Sequence, residues 1–292
     1  MNIEPGRHLR HLHRAVGVLL IGSSSAACSL FGWRAAATAT PTVVSPPATE
    51  TATPTTPPTL TPTVIPIPPT RAPTATELVF IATNRIEQSK TPKYTISFDL
   101  PYLSSGGAAA ELFNDAVEQL ARSEEEQFLA EITTNEAWRQ ANMPEFGSDL
   151  IINHRVRFNH DGLVSVQFTI SVYIAGAAHP NTYTLVINLD SRNPPAFLSL
   201  SQLFVQQSDY LDLLSTYCAD NLRARDALQF PDGAAPNPEN FANWLFDSQG
   251  LVIIFDPYQV APYALGMQEV LVPYLYLEPV TDPLGALGKV IE

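Results

Sequence analysis

Few side chains in this sequence could carry chemistry: His154, His160 and His179, the carboxylates Asp190 and Asp256, and Cys218. A histidine beside a carboxylate can act as a general base near neutral pH, because its proton affinity already lies in that range. His179 with Asp190 and Asp256 would make a hydrolase constellation, and His179 with Asp190 the start of a metal site. Neither spacing demands such chemistry, since both depend on how the fold brings the residues together. No phosphate-binding loop, dinucleotide fingerprint, His-Glu-x-x-His motif or Gly-x-Ser-x-Gly elbow occurs in the sequence. His8, His11 and His13 fall within an N-terminal export segment and drop out. His154 belongs to an apolar strand face, where a hydrogen-bonded core histidine is expected, and His160 to an exposed turn. His179 lies in the small-residue loop Ala175-Gly176-Ala177-Ala178-His179-Pro180-Asn181, the setting best suited to binding.

The elements that must position these residues can be read from periodicity. Residues 77–82 have strand composition, and Tyr94, Ile96, Phe98 and Leu100 alternate in a second strand that Pro101 ends. Phe113, Ala116, Val117, Leu120, Ala121, Phe128 and Ile132 recur at helical spacing across residues 108–132. Within that helix, Glu124-Glu125-Glu126 occupy positions about 100° apart, so at least two are expected to face water. Leu150, Ile152, His154, Val156 and Phe158 share one strand face. Asn159-His160-Asp161-Gly162 supplies a hairpin turn. The return strand places Val164, Val166, Phe168, Ile170, Val172 and Ile174 inward and Ser165, Gln167, Thr169 and Ser171 outward. A third strand carries Tyr183, Leu185, Ile187 and Leu189, which predicts an antiparallel meander with one wet face.

Ser208 or Asp209 can cap a second helix that runs to about Arg225, with Leu211, Leu214, Cys218 and Leu222 on one stripe. Cys218 is then a buried small hydrophobe rather than a nucleophile. Leu251-Val252-Ile253-Ile254-Phe255 reads as a strand buried on both faces. It is followed by Pro257, Tyr258, Pro262, Tyr263 and Gly266, an aromatic, proline-stiffened loop that either plugs a core or presents a surface. Val270, Val272, Tyr274 and Tyr276 complete a last strand, which Pro273 assigns to an edge or a bulge. This order implies an α+β fold, a mainly antiparallel sheet with a central meander packed by two helices.

The N-terminal quarter has a different character. Arg7, Arg10 and Arg14 precede the apolar residues 15–22, then small residues lead to Cys28, the pattern of an export signal. The cysteine after Ala26-Ala27 resembles the lipobox of bacterial lipoproteins, so residues 1–28 are expected to be a signal peptide, with Cys28 lipidated and the protein held at the outer membrane face or cell surface. Cleavage after Ala27 to give a secreted chain, or an uncleaved anchor over residues 15–33, are the alternatives. Residues 29–76 are expected to be a disordered Thr/Pro-rich tether, in which proline density favours extended chain at about 3.1 Å per residue. The folded domain is expected over residues 77–292, with an N-terminal part near 77–148 and a C-terminal part near 149–280. Residues 1–76 carry five arginines and two glutamates, so the chain's net −13 leaves −16 on residues 77–292. Such an acidic domain excludes nucleic acid, which needs clustered Lys and Arg, and suits a basic partner.

Three motifs carry a family resemblance: residues 175–183 followed by Ile187-Asn188-Leu189-Asp190; Leu198-Ser199-Leu200-Ser201-Gln202-Leu203-Phe204; and Gly250 through Gly266. In that order they resemble the extracytoplasmic domain of anti-sigma factors of the RsiV type, and a related arrangement that precedes the catalytic domain of the peptidoglycan deacetylase PdaC. The resemblance implies an envelope-facing α+β binding domain and, as ligand, lysozyme or another basic protein, or peptidoglycan glycan. Only about 14 residues precede the apolar segment, so the sensing or binding half alone is expected. The expected function is a non-catalytic, membrane-tethered binding module without cofactor or metal. A cell-wall glycan-modifying enzyme and a structural envelope protein are the alternatives. His179, Asn181, Tyr183, Tyr258 and Tyr263 are the candidate ligand-binding residues.

Overall fold

The structure is a computed structural model that describes residues 77–291 apart from Asn135. The expected signal segment, Cys28 and the Thr/Pro tether lie outside the described residues. Among the described residues, no helix is long and apolar enough to cross a membrane.

The chain first folds as a hairpin of β1 (Phe80–Lys90) and β2 (Lys93–Leu103), paired from Phe80 with Leu103 to Lys90 with Lys93. Both strands outrun the sequence reading. β1 is exposed along most of its length and so carries little alternation to read. β2 continues through Pro101 because its neighbour β3 pairs with it only from Tyr94 to Phe98, leaving an open edge beyond, where strand proline is tolerated. The crossover α1 (Ala108–Thr134) and the short α2 (Glu136–Asn142) bring the chain back to β3 (Ser148–His160), which runs parallel to β2. Then β4 (Leu163–Tyr173), β5 (Asn181–Asp190) and the short β6 (Ala196–Phe197) follow antiparallel, giving a six-stranded sheet in chain order. The turn joining β3 to β4 has Asp161 and Gly162 both at positive φ, as a two-residue hairpin turn requires. The fold is thus α+β with a mainly antiparallel sheet.

One face of this sheet is dry because α1 lies on it. Phe113, Val117, Ala121, Phe128 and Ile132 pack against Ile96, Phe98, Leu150, Ile152, Val166, Phe168 and Ile170. Each fully buried side chain of this size contributes roughly 1.5–3 kcal/mol. The helix also contradicts the expected solvation of its acidic triplet. Glu124 is buried and accepts a hydrogen bond from Tyr183 Oη on β5, Glu125 holds Arg85 at 2.8 Å, and only Glu126 is fully exposed. The wide apolar stripe of a helix lying on a sheet reaches past its hydrophobic positions, so a glutamate at its rim is covered too.

Burial pushes the Glu124 carboxyl above the usual carboxylate range, and the Tyr183 hydrogen bond pulls less strongly the other way. A carboxyl that binds its proton more tightly folded than unfolded gives stability that is full below the unfolded-state pKa and lost as pH rises through the folded value. Glu124→Gln removes the charge and keeps an acceptor for Tyr183. At pH 7 the variant is expected to be as stable as the parent or more so, and to lack this loss as pH rises from about 4. Urea unfolding at a series of pH values checks this; a clear loss of stability at pH 7 alone would show that the charged form is the favoured one.

After β6, α3 (Tyr210–Ala224) presents Leu214, Cys218, Ala219 and Leu222 as its buried stripe. Cys218 is fully buried among hydrophobes, and burial pushes its thiol up to about 12, which leaves no thiolate at neutral pH. A second, three-stranded antiparallel sheet follows: β7 (Trp244–Phe246), β8 (Gly250–Phe255) and β9 (Gln268–Pro273), with β8 in the middle. Its two faces have different neighbours. Leu251, Ile253 and Phe255 join the α3 core, while Val252 and Ile254 meet Val186 of β5 and Leu271. This explains the uninterrupted apolar run. Tyr274 and Tyr276 are not in the last strand: Pro273 ends β9 and opens the short helix α4 (Tyr274–Leu277), its fixed φ of −60° suiting a helix entrance.

Two further expectations fail where the sheets meet. The polar face of the meander is not wet: Ser165, Gln167, Thr184 and Asn188 are all at most 5% exposed, covered by the second sheet. They form a hydrogen-bonded seam. Ser165 Oγ donates to Asn188 Oδ1 at 2.5 Å, Asn188 Nδ2 donates to the Trp244 carbonyl at 2.7 Å, and the Phe246 N–H donates to Ser165 Oγ at 2.9 Å. Arg157 donates to Gln167 and to both oxygens of Glu269 on β9, closing the seam with a bidentate ion pair. Phe158, in turn, does not share the face of Leu150 and Ile152. A β-bulge between Val156 and Phe158 sets Val156 opposite Val166 but Phe158 opposite Ser165, so Phe158 turns to the α3 core and packs on Phe246 at 5.8 Å.

Candidate functional site

Two loops carry the predicted binding residues. The first joins β4 to β5 and holds His179; the second, residues 256–266, joins β8 to β9 and holds Tyr258 and Tyr263. The second loop is anchored from within. Its Val260 and Ala261 are buried in the α3 core, and the Val260 carbonyl accepts from the Gln229 and Phe230 N–H groups at 2.8 and 2.9 Å. Gln259 Nε2 donates to the Gly233 and Asn240 carbonyls, and its Oε1 accepts from the Asp256 N–H. The loop therefore both plugs a core, through Val260 and Ala261, and presents a surface, through the tyrosines on either side. Tyr258 sits at φ 70°, a left-handed conformation unusual for a side chain of this size. Its N–H donates to the Ala261 carbonyl at 3.0 Å, closing the turn that points the ring outward.

The first loop meets it. The His179 ring stacks on Tyr263 with centroids 4.1 Å apart and planes 24° apart, and Tyr258 lies 6.2 Å from His179 and 5.6 Å from Tyr263. His179 Nδ1 is 2.9 Å from the Pro180 carbonyl, which only accepts, so Nδ1 carries the proton. In the neutral ring Nε2 is then the acceptor, and the Tyr258 hydroxyl stands 3.4 Å from it. Tyr263 Oη also donates to the Pro180 carbonyl, at 3.2 Å. His179 is exposed, Tyr258 is 57% exposed, and Tyr263 is half-buried beneath them. Three rings thus form one solvent-facing patch with polar tips, the amphipathic surface on which a flat, partly apolar ligand can stack.

The other sequence candidates divide. Asn181, exposed at the start of β5, directly follows the first loop. Tyr183 lies elsewhere: it points to α1 and bonds Glu124, on the sheet face opposite Thr184. Asp190 is at the far end of β5, about 30 Å along the strand from its start, where it is held by Arg192 at 2.6 Å. Asp256 Oδ1 accepts from the Thr184 N–H at 2.8 Å and Oδ2 faces Asn243 Nδ2 at 3.5 Å, which makes it a pin between the second loop and β5. The three residues of the hydrolase constellation are therefore not brought together as a triad. His154 Nδ1 donates to the Asp99 carbonyl at 2.9 Å, and His160 lies at the exposed end of β3 near Glu77. Among the described residues, no group of three His, Cys, Asp or Glu side chains gathers as metal ligands do. Nothing in the spacing of Gln259 marks it as a positioning residue, and Asp256, a candidate carboxylate partner of His179 in the sequence, instead pins the second loop to β5.

Comparisons with known proteins fit this geometry. Residues 201–275 match the family described as "Protein of unknown function (DUF3298)", a stretch that runs from the end of the first sheet through α3 and the second sheet. The chain is 28% identical over 190 residues to peptidoglycan-N-acetylmuramic acid deacetylase PdaC of Bacillus subtilis, covering 63% of this chain and 38% of that protein's length. A crystal structure of a member of the same family from Bacteroides fragilis shares the fold, with a TM-score of 0.52 at 17% identity over 73% of this chain and 97% of that one. A further structure from Pseudomonas aeruginosa aligns with a TM-score of 0.49 at 18% identity over 70% of this chain and 95% of that one.

Proposed function

We propose that this protein is a non-catalytic binding module on the outer side of a bacterial membrane, tethered through Cys28 and the Thr/Pro segment, and that it binds cell-wall glycan. The observation that carries this reading is the exposed His179–Tyr258–Tyr263 patch, supported from below by a loop whose centre is locked into a core. Sugar rings present apolar faces of aromatic size, and the ring nitrogen and hydroxyls beside them can meet sugar hydroxyls. The similarity to part of a protein whose name places its action on peptidoglycan supports the ligand class.

Co-sedimentation of the purified chain with insoluble peptidoglycan tests the reading. Tyr258→Ala is expected to weaken retention about tenfold, the effect of one stacking ring. Because the ring is exposed, folding stability should change by about 0.5 kcal/mol or less. Retention that is unchanged in both Tyr258→Ala and His179→Ala would remove the patch from the binding surface. Turnover of peptidoglycan by the chain alone would overturn the non-catalytic part.

A second reading rests on charge and on the resemblance to RsiV-type domains: a basic protein such as lysozyme as ligand of a domain carrying −16. Calorimetry against lysozyme at low and moderate salt separates the two, since a charge-driven complex weakens as salt rises. No binding to either peptidoglycan or lysozyme at low salt would sink both.

A further inference from the structure

β1 is a long open edge. It ends the six-stranded sheet, and among the described residues no strand pairs with its outer side. Its 11 residues run in unbroken register with β2 and include no proline, glycine or bulge, devices that keep a free edge from pairing. The opposite edge of the same sheet, β6, is only 2 residues long. Every residue from Ile81 to Ile86 is exposed, and Ile86, in the middle of the strand, is 72% exposed. Such an edge offers a row of N–H and C=O groups to one further strand.

The charges of β1 select the strand that fits. In an antiparallel pair, a residue whose backbone groups face the partner strand must meet a residue whose groups face back. When β1 meets another β1, odd-numbered residues therefore oppose odd and even oppose even. A pairing centred on Arg85 sets that arginine against its own copy, and one centred on Glu87 does the same with the glutamate; like charges directly opposed are destabilising. The register between them is centred on Ile86. It sets Arg85 opposite Glu87 of the second copy and Glu87 opposite Arg85, while Ile86 covers Ile86. Outward from there Asn84 meets Gln88 and Thr83 meets Ser89, polar groups on both sides. Arg85 is already positioned for this contact: Glu125 on α1 accepts from both of its terminal nitrogens at 2.8 Å, which fixes the guanidinium beside the edge and lowers the ordering cost of pairing. Arg85 also holds Glu87 of its own strand at 2.6 Å, so across the junction the four side chains would alternate in sign.

We propose that β1 is a dimerisation edge, and that two copies of this chain join their first sheets through an antiparallel β1–β1 pair about a twofold axis at Ile86, with Arg85 and Glu87 exchanged between them. The same edge serves both copies, so the assembly closes at two, and the joined sheet ends on either side in the short β6. The contact does not depend on the glycan reading, and its residues are distinct from the aromatic patch.

Sedimentation velocity of the full chain from about 1 to about 100 μM tests this, in about 0.15 M salt to screen the repulsion between two acidic domains. A monomer–dimer equilibrium without larger species is expected. Ile86→Lys sets two ammonium groups on the axis and should raise the dimer Kd about tenfold or more, with an unchanged melting temperature because the site is exposed. Arg85→Glu opposes carboxylates at two symmetry-related places and should weaken the dimer by about the same factor. Adding Glu87→Arg to it restores opposite signs and is expected to bring Kd back to within about threefold of the parent. The register is read by cysteine cross-linking. Ile86→Cys should yield a disulfide-linked dimer on mild oxidation, above the parent's own level, whereas Gln88→Cys should not, its own copy lying about 14 Å away along the second strand. A chain that stays monomeric throughout the range overturns the proposal. So does a dimer that Ile86→Lys and Arg85→Glu leave unchanged, or one that cross-links through Gln88→Cys in place of Ile86→Cys.

Discussion

Gly250→Ala is expected to destabilise the domain by about 3 kcal/mol or more, the upper end for overpacking in a core, and to lower Tm by roughly 6–12 °C for a domain of this size. Gly250 opens β8, the middle strand of the second sheet, and is paired with Pro273 of β9. A Cβ there would stand 2.1 Å from the Val272 carbonyl oxygen, 2.7 Å from its carbon and 2.9 Å from Pro273 Cα. All three are backbone atoms, so no side chain can swing aside to make room. β9 would have to move, and with it the α4 entrance at Pro273 and the hydrogen bond from the Tyr274 N–H to the Gln249 carbonyl. Thermal and urea unfolding measure the effect. A Tm within about 2 °C of the parent would mean that β8 and β9 are not packed this closely.

Asn188→Ala should cost about 2–6 kcal/mol, since it strands two groups in the seam at roughly 1–3 kcal/mol each. The Trp244 carbonyl loses its donor, and the Ser165 hydroxyl loses its acceptor, with Asn188 itself 4% and Ser165 0% exposed. The loss is expected to be shared rather than additive. In a cycle with Ser165→Ala, the double variant should fall short of the sum of the singles by about 0.5–3 kcal/mol, as residues in one hydrogen-bond network do. Full additivity would mean that the two side chains do not act as one network. The seam also fixes β5 against the second sheet, and β5 begins directly after the His179 loop. A binding loss in Asn188→Ala that exceeds the unfolded fraction would therefore reflect displacement of the aromatic patch.

Local pattern carried much of the architecture. The alternation from Val164 to Val172 marked the inner face of β4, the stripe Leu214, Cys218, Leu222 marked α3, and the run Leu251 to Phe255 marked a strand covered on both sides. What failed was inference from polarity to water. Ser165, Gln167 and Asn188 alternate as exposed residues would, but alternation reports only which face a residue is on, and here a second sheet supplies that face with partners. Glu124 misled for the same reason. The candidate patch was half legible: the His179 loop and the Tyr258–Tyr263 loop each stood out by composition, but their stacking depends on a contact between residues about 80 positions apart.

The bulge at Arg157 has a consequence for how this chain tolerates changes of length. Up to Val156, β3 counts its residues toward the helix-covered core, and from Phe158 on toward the α3 core; one supernumerary residue switches the count. Removing a residue from an edge strand such as β1 would slide a mostly exposed ladder. Removing Arg157 would restore strict alternation with Phe158 still opposite Ser165 on the α3 side, but it would delete the cation that holds Glu269. Insertions or deletions between Leu150 and Val156 would instead turn the residues on one side of the change to the other face, and should be the least tolerated in β3.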